Sequence, residues 1–174
     1  MKTTIKREDL LAPLQQIIGA VERRQTLPIL GNVLFKSSSG DLTLAATDLE
    51  IEMVASVTAD NPEDFQTTIP ARKLLDICKA LPEGSTINFN VDETKVSLTS
   101  ARSRFTLSTL SAQDFPSLDE IEVQQTFEIP QNLLKGLFDK TSFAMAQQDV
   151  RYYLNGILME LEPDAIKLVA TDGH

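Results

Sequence analysis

Apolar residues in this chain recur first at helical spacing and then at every second position, in an order that repeats. A short extended segment at 3–6 precedes apolar side chains at intervals of three and four residues over 10–21, the pattern of an amphipathic helix. Pro13 lies inside this pattern and removes one backbone hydrogen bond, so a shortened or kinked helix is expected. Three extended segments follow, at 33–36, 42–45 and 50–58. The first cycle therefore predicts a strand, a helix and three strands.

The same order of patterns returns twice. The second cycle has an extended segment, a helical pattern and a set of three extended segments, which span 67–69, 71–81 and 87–110. The third cycle opens at 126, where Phe127, Ile129 and Pro130 precede a helix. The apolar stripe of this helix is formed by Leu133, Leu134, Leu137 and Phe138. The stretch 151–174 is expected to supply the strands of this cycle, which places Tyr152 and Tyr153 at adjacent strand positions.

A sequence repeat underlies these cycles. Leu30 and Leu154 open similar six-residue blocks that lie 124 residues apart, and Thr47-Asp48 precedes Thr171-Asp172 by the same distance. Weaker correspondences at offsets of 64 and 60 residues divide this repeat in two. Matched blocks at one ungapped offset indicate a duplicated structural unit.

The repeats predict an α+β fold built from strand–helix–three-strand units, with two units in each domain. The first domain is expected at 1–124, with its units at 1–60 and 65–120. A second domain is expected to start at 125 and to stop at 174 before its unit is complete. The pattern therefore predicts a truncated or proteolysed form of a longer protein.

Charge is unevenly distributed in this acidic chain, whose formal net charge is −9. Residues 41–69 hold seven acids and no base, whereas residues 71–110 hold six bases and four acids. A net negative charge opposes phosphate binding, but segregated charge can place a basic face on an acidic body.

The sequence indicates a cytoplasmic protein that does not interact with membranes. Cys78 is the single cysteine, so no internal disulfide can form. The first nine residues are polar and no apolar run follows them, so no signal peptide is expected. No stretch approaches the roughly 20 apolar residues that a membrane-spanning helix needs.

An enzymatic function would have to use Asp172 and His174, because His174 is the only histidine. An aspartate can orient an imidazole for general-base catalysis. However, Asp172 repeats Asp48, where no histidine follows, so a turn-capping role explains both aspartates. Metal-ligand spacing, a phosphate-binding glycine loop and a nucleophile motif are absent from the sequence. We therefore expect a protein that is not an enzyme and has no cofactor.

Two clusters of basic residues remain open to interpretation. Arg72, Lys73 and Lys79 share one helical face, which is most often simply a solvated surface. Arg102 and Arg104 flank a strand start beside Phe105. Charges at a strand edge can discourage unwanted pairing, and two arginines around an aromatic ring also suit a subunit contact.

Distinctive motifs occur along the whole chain. The most specific blocks are Arg151-Tyr152-Tyr153-Leu154-Asn155-Gly156 and Ala170-Thr171-Asp172-Gly173-His174. Further motifs, in chain order, are Thr26-Leu27-Pro28-Ile29-Leu30-Gly31-Asn32, Thr47-Asp48-Leu49-Glu50, Pro70-Ala71-Arg72-Lys73, Leu81-Pro82-Glu83-Gly84, Ser103-Arg104-Phe105, Asp114-Phe115-Pro116 and Gln148-Asp149-Val150. Together these motifs resemble those of the bacterial DNA polymerase III beta-subunit family, the sliding clamps.

The resemblance implies a DNA-clamp fold in which helices line the interior of a ring and antiparallel sheets form its outer wall. The full-length subunit would form a head-to-tail homodimer around double-stranded DNA, without reading its sequence. It would confer processivity on the replicative polymerase. Its expected protein partners are the DNA polymerase III alpha subunit, the clamp-loader complex, other DNA polymerases and repair proteins, all docking through linear motifs.

The resemblance also assigns roles to three sets of residues. It implies that the DNA-facing residues are Arg24, Arg72, Gln148, Tyr152 and Tyr153. It implies that part of the partner-peptide pocket is formed by Arg151, Leu154, Thr171, Gly173 and His174. It implies that the subunit interface includes four basic residues and one aromatic residue, which are Lys73, Lys95, Arg102, Arg104 and Phe105. The alternative hypothesis is a protein-interaction module that binds linear peptide motifs without DNA.

Overall fold

The computed structural model describes residues 2–22, 27–60, 63–116 and 124–174. Contacts between Cα atoms divide the chain into two compact units, Met1–Glu120 and Ile121–His174. Each unit is described by itself.

The first unit contains two successive strand–helix–three-strand segments, as the hydrophobic pattern predicts. The first segment consists of β1 (Lys2–Lys6), α1 (Arg7–Ile17), β2 (Asn32–Ser38), β3 (Asp41–Thr47) and β4 (Glu52–Val57). The second consists of β5 (Phe65–Pro70), α2 (Ala71–Ala80), β6 (Thr86–Val91), β7 (Lys95–Ser100) and β8 (Ser103–Ser108). The predicted α+β class is confirmed.

The two segments exchange their first strands. β1 pairs antiparallel with β6 of the second segment, with Ile5 opposite Ile87. β5 pairs antiparallel with β2 of the first segment, with Val33 opposite Ile69. The resulting four-stranded sheets have the strand orders β1-β6-β7-β8 and β4-β3-β2-β5. Each sheet is therefore complete only when both segments are present.

One hydrophobic core lies between these elements. Phe35 of one sheet and Phe89 of the other place their ring centroids 5.8 Å apart, and both side chains are fully buried. Helices α1 and α2 contact each other and contribute buried leucines to the same core. Arg7, at the start of α1, donates from Nε to the carbonyl of Cys78 at 2.7 Å. This bond satisfies a carbonyl in the last turn of α2, which helix geometry leaves without an intrahelical partner.

Pro13 does not break α1. The helix begins at Arg7, runs through Pro13 to Ile17 and continues as a 3-10 turn over Ile18–Ala20. The Pro13 ring is buried with Leu10, Leu14 and Ile17. Burial of this apolar stripe offsets the loss of one backbone hydrogen bond.

The second unit repeats described elements of the first segment at an offset of 124 residues. Its elements are α3 (Gln131–Thr141), 3-10 turns at Ser142–Ala144 and Tyr152–Asn155, β9 (Leu158–Glu162) and β10 (Ala165–Val169). The helix and both turns match α1, Ile18–Ala20 and Pro28–Gly31 residue for residue. The loop hydrogen bonds match as well. Ala146 N–H donates to the Leu154 carbonyl at 3.0 Å, as Glu22 N–H does to the Leu30 carbonyl at 3.2 Å.

The prediction that Tyr152 and Tyr153 occupy strand positions is wrong. Both lie in the 3-10 turn Tyr152–Asn155, and the strands of this unit begin only at Leu158. The corresponding residues of the first unit are Pro28 and Ile29, and Pro28 supplies the fixed φ angle that suits the start of a helical turn. The repeat itself thus contained the signal for a turn at this place.

The apolar face of the second unit is open. Phe138 is 37% exposed whereas its counterpart Leu14 is fully buried, and Met159 is 37% exposed whereas its counterpart Phe35 is 1% exposed. A groove of about 970 Å³ runs between α3 and the β9–β10 hairpin. Its apolar lining includes Phe127, Ile129, Pro130, Leu133, Leu137, Leu161 and Ile166.

Replacing Leu10 with alanine should destabilise the first unit strongly, because the Leu10 side chain is completely buried in the core. We expect a loss of about 2–5 kcal/mol in the free energy of unfolding, the usual cost of truncating a core leucine. Leu11→Ala, one residue further along the same helix and only partly buried, is the matched control. It should cost about 1 kcal/mol. Urea unfolding followed by circular dichroism measures both, and equal losses would contradict this description of the core.

Candidate DNA interface and peptide-binding site

A rigid loop precedes the tyrosine turn of the second unit. The side chain of Asn155 brackets Asp149: Asp149 N–H donates to Asn155 Oδ1 at 2.9 Å, and Asn155 Nδ2 donates to the Asp149 carbonyl at 2.9 Å. Leu154 is buried and donates its N–H to the Arg151 carbonyl at 2.9 Å. The backbone of this loop is therefore fixed from both ends.

Asp149 and Arg151 form a forked ion pair on this loop. Arg151 Nε and Nη2 donate to the two carboxylate oxygens at 3.1 and 2.9 Å, and the Arg151 backbone N–H donates to Oδ1 at 2.8 Å. These bonds to the charged form hold the pKa of Asp149 at about 2. The same hydrogen bonds raise the pKa of Arg151. Asp149 is thus a carboxylate at any physiological pH.

The turn at Thr171–His174 lies against this ion pair. Arg151 Nη2 donates to the Asp172 carbonyl at 3.4 Å. Gly173 has a φ of +88°, which side-chain-bearing residues rarely adopt, and a Cβ atom there would lie 3.0 Å from Arg151 Nη1. Glycine is therefore favoured twice: by the left-handed backbone, and by the Arg151 guanidinium that occupies the adjacent space in this orientation.

Side-chain oxygens cap this turn. Gly173 N–H donates to Thr171 Oγ1 at 3.0 Å, and His174 N–H donates to Asp172 Oδ1 at 3.0 Å. The first unit has the same pair of bonds at Thr47-Asp48, each 3.0 Å long. The predicted turn-capping role of Asp172 and Asp48 is thereby confirmed.

The structure brings four of the five predicted pocket residues together. Arg151 packs on Gly173, and Thr171 and His174 belong to the same exposed turn. Leu154 is buried on the 3-10 turn that follows Arg151. The cluster combines a half-exposed guanidinium with the exposed backbone of a tight turn.

The predicted DNA-facing residues fall in both units. In the second unit Gln148 is exposed and has a φ of +58°, while Tyr152 and Tyr153 are 83% and 67% exposed. The two tyrosine rings meet edge to face with centroids 6.0 Å apart. In the first unit Arg72 lies on the exposed face of α2. Arg24 lies outside the described residues.

Four predicted interface residues share one hairpin of the first unit. Lys95 pairs with Ser108, Arg104 pairs with Thr99, and Arg102 lies in the turn between β7 and β8. Phe105 points inward and packs against the core. β8 is the last strand of its sheet, so its outer edge can pair with another strand. Lys73 is exposed separately on α2.

The sequence reasoning assigned no role to Asp149 or Asn155. Asp149 lies in the Gln148-Asp149-Val150 motif, and Asn155 stands where the first unit has Gly31, which has no side chain to form the bracket. That difference between repeats was the available signal.

Among the residues the structure describes, no group of three or more His, Cys, Asp or Glu side chains could hold a metal ion, and no helix could cross a membrane.

Replacing Arg151 with alanine should raise the pKa of Asp149 from about 2 toward the ordinary aspartate value of 3.8. The backbone N–H bond persists, so the rise should stop short of 3.8. In the parent protein the stability contributed by ionised Asp149 is present above pH 3.8 and is lost as the pH falls through about 2; the variant should lose it at higher pH. Carboxyl ¹³C shifts measure the midpoint.

Asp48 is the internal control for this titration. Its pKa is lowered by hydrogen bonds from the backbone N–H groups of Ile51 and Glu50, which Arg151→Ala leaves intact. An Asp149 midpoint that does not move, or one that moves together with that of Asp48, would contradict the ion pair as the cause of the shift.

Two family models match the chain in order. The DNA polymerase III beta subunit, N-terminal domain, matches residues 1–119, and the DNA polymerase III beta subunit, central domain, matches residues 128–174. Two proteins named Beta sliding clamp are similar over the whole chain: that of Pseudomonas aeruginosa at 54% identity and that of Escherichia coli K12 at 52%. The chain covers 48% of each, so it spans about half the length of the curated relatives it matches.

Solved structures show the same similarity. The DNA polymerase III subunit beta from Pseudomonas aeruginosa matches with a TM-score of 0.95 at 52% identity, covering all of this chain and 48% of that one. A sliding clamp from the same organism bound to griselimycin matches at 0.94 and 53%, with 47% of it covered. Caulobacter crescentus pol III beta matches at 0.90 and 38%, with 48% of it covered.

Proposed function

The chain belongs to the DNA polymerase III beta-subunit family, and we propose that it supplies the first domain and the opening part of the second domain of a DNA sliding clamp. The observation that carries this proposal is the ordered match of both family models along nearly the whole chain. We place the first domain at 1–124 and the start of the second at 125–174. The clamp is not an enzyme, has no cofactor and works in the cytoplasm.

The complete subunit closes into a ring with a second copy and surrounds double-stranded DNA. In this ring Arg24, Arg72, Gln148, Tyr152 and Tyr153 face the DNA. Such contacts reach the phosphate backbone without reading base sequence, so the ring can slide. The free edge of β8 and its neighbouring bases form one side of the subunit interface, which consists of Lys73, Lys95, Arg102, Arg104 and Phe105. The rest of the second domain covers the apolar groove between α3 and the β9–β10 hairpin.

Partner proteins dock at the cluster formed by Arg151, Leu154, Thr171, Gly173 and His174. The exposed guanidinium and the backbone of the Gly173 turn are one wall of a groove for short linear motifs. Polymerase III alpha subunit, the clamp loader, other polymerases and repair proteins compete for it. Griselimycin, bound in the Pseudomonas aeruginosa clamp, is an expected ligand of the complete subunit.

Topological retention separates this function from its main alternative, a peptide-binding module without DNA, which the net charge of −9 favours. The complete subunit, loaded by its clamp loader, should stay on closed circular DNA and leave once the DNA is cut to a linear form. Gel filtration of radiolabelled clamp on both DNAs measures this retention. Equal retention on the two forms of DNA, or no retention on the closed circular form, would contradict the sliding-clamp function.

Removing Arg24 and Gln148 together should weaken the contacts that guide DNA through the ring. We expect the Arg24→Ala/Gln148→Ala variant to load roughly three- to tenfold less efficiently, as the loss of one or two phosphate contacts implies. Lys36→Ala is the matched control, because Lys36 is an exposed base on β2 that has no proposed DNA-facing role. Processive primer extension on circular template measures the effect. Unchanged extension by the double variant would contradict these DNA-facing roles.

A further inference from the structure

The two repeats have the same backbone at the capped turn and at the 3-10 turn of the proposed pocket, but different side chains. Leu49 adopts a φ of +79° where Gly173 has +88°, and the capping bonds of the two turns are equal in length. Leu30 N–H donates to the Leu27 carbonyl at 3.0 Å, as Leu154 N–H donates to the Arg151 carbonyl. The scaffold alone therefore cannot explain why only the second repeat would serve as a docking site.

The differences fall on the residues of one polar cluster. At an offset of 124 residues, Asp149 corresponds to Gln25 and Arg151 to Leu27. Gly173 corresponds to Leu49, and Asn155 to Gly31. The first repeat thus has neither the ion pair nor the glycine against which the guanidinium packs. All four members of this cluster are present in the second repeat only.

We propose that Asp149 is a positioning residue, whose carboxylate holds the Arg151 guanidinium against Gly173 and so builds the wall of the peptide pocket. This inference rests on the proposed function, because it assumes that partners bind at Arg151 and Gly173. Asp149 does not itself contact the docked partner protein. It acts through Arg151.

The geometry gives Asp149 this role because little else restrains Arg151. The guanidinium makes two bonds to the Asp149 carboxylate, at 2.9 and 3.1 Å, and one long bond of 3.4 Å to the Asp172 carbonyl. The Arg151 side chain is 47% exposed, so without the carboxylate only the long bond to Asp172 and the contact with Gly173 would restrict its rotamers. A planar fork held by two bonds stays in one orientation.

Asp149 is itself well placed to act as the fixed end of this pair. The Asn155 side chain binds both its backbone N–H and its carbonyl at 2.9 Å. Its carboxylate also accepts the Arg151 backbone N–H, which closes a tight local turn. The anchor is therefore set by the loop backbone, and the guanidinium is positioned relative to the backbone of Gly173.

The test uses the complete subunit and its polymerase III alpha subunit, immobilised for surface plasmon resonance. Asp149→Asn keeps the shape of the side chain and removes its charge, and we expect the Kd for the alpha subunit to rise roughly fivefold. Arg151→Ala should raise it by about tenfold. Asp139→Asn is the matched control, since it breaks the exposed Lys135–Asp139 pair of α3, and should leave the Kd unchanged.

A double variant tests whether Asp149 acts through Arg151. If it does, Asp149→Asn combined with Arg151→Ala should bind no more weakly than Arg151→Ala alone, because the carboxylate has lost what it positions. A purely structural role would instead multiply the two losses, to about fiftyfold, and would overturn the inference. Arg151→Lys keeps the charge but lacks the fork, and should match Asp149→Asn. Parental affinity of Arg151→Lys would also overturn it, even if Asp149→Asn failed to fold.

The two single variants separate the role of Asp149 from the pocket itself. If Arg151→Ala weakens binding and Asp149→Asn does not, the inference is wrong and the proposed pocket stands. If Arg151→Ala binds the alpha subunit as tightly as the parent does, the proposed pocket itself is wrong.

Discussion

The first unit depends on one constraint: its two segments exchange their first strands, β1 and β5. Each strand leaves its own segment and completes the sheet of the other, so backbone hydrogen bonds and core side chains of one segment need the second. Phe35 of one sheet and Phe89 of the other meet in the shared core, with their ring centroids 5.8 Å apart. A single strand–helix–three-strand segment would leave sheet edges and apolar faces open. Pairing of segments is therefore a physical requirement of this fold.

Duplication of such a scaffold separates stability from function. The capped turn at Thr47-Asp48 recurs at Thr171-Asp172, with hydrogen bonds of equal length. In both turns the residue after the aspartate has a left-handed backbone conformation. Leu49 tolerates that conformation at some cost in strain, whereas Gly173 adopts it freely and leaves room for a guanidinium. Since the backbone of this turn does not change, only a few substitutions separate the structural corner of the first unit from the proposed docking surface of the second.

Hydrophobic periodicity and the repeat predicted most of the fold, because burial dominates the choice of strand and helix. Periodicity failed at Tyr152 and Tyr153, because an exposed 3-10 turn has no apolar period to detect. The repeat aligns these tyrosines with Pro28 and Ile29, where the signal for a turn lay. The helix containing Pro13 was expected to be shortened or kinked, but burial of its apolar stripe overrides the local defect. The proposed role of Asp149 was missed, although Asn155 of the second repeat stands where the first repeat has Gly31. Its role depends on a bracket from Asn155, six residues away, and on a guanidinium that packs against Gly173 across the fold.

A net charge of −9 would exclude DNA binding if affinity alone had to hold the DNA. In the proposed ring, closure replaces affinity, and tight phosphate contacts would oppose sliding. A few separated groups suffice, such as Arg72 on α2 and the exposed tyrosines of the second unit. The acids can then lie elsewhere, and seven of them fall in 41–69 without a single base. An acidic body with sparse DNA contacts is therefore what topological retention favours, and the charge distribution is consistent with the mechanism.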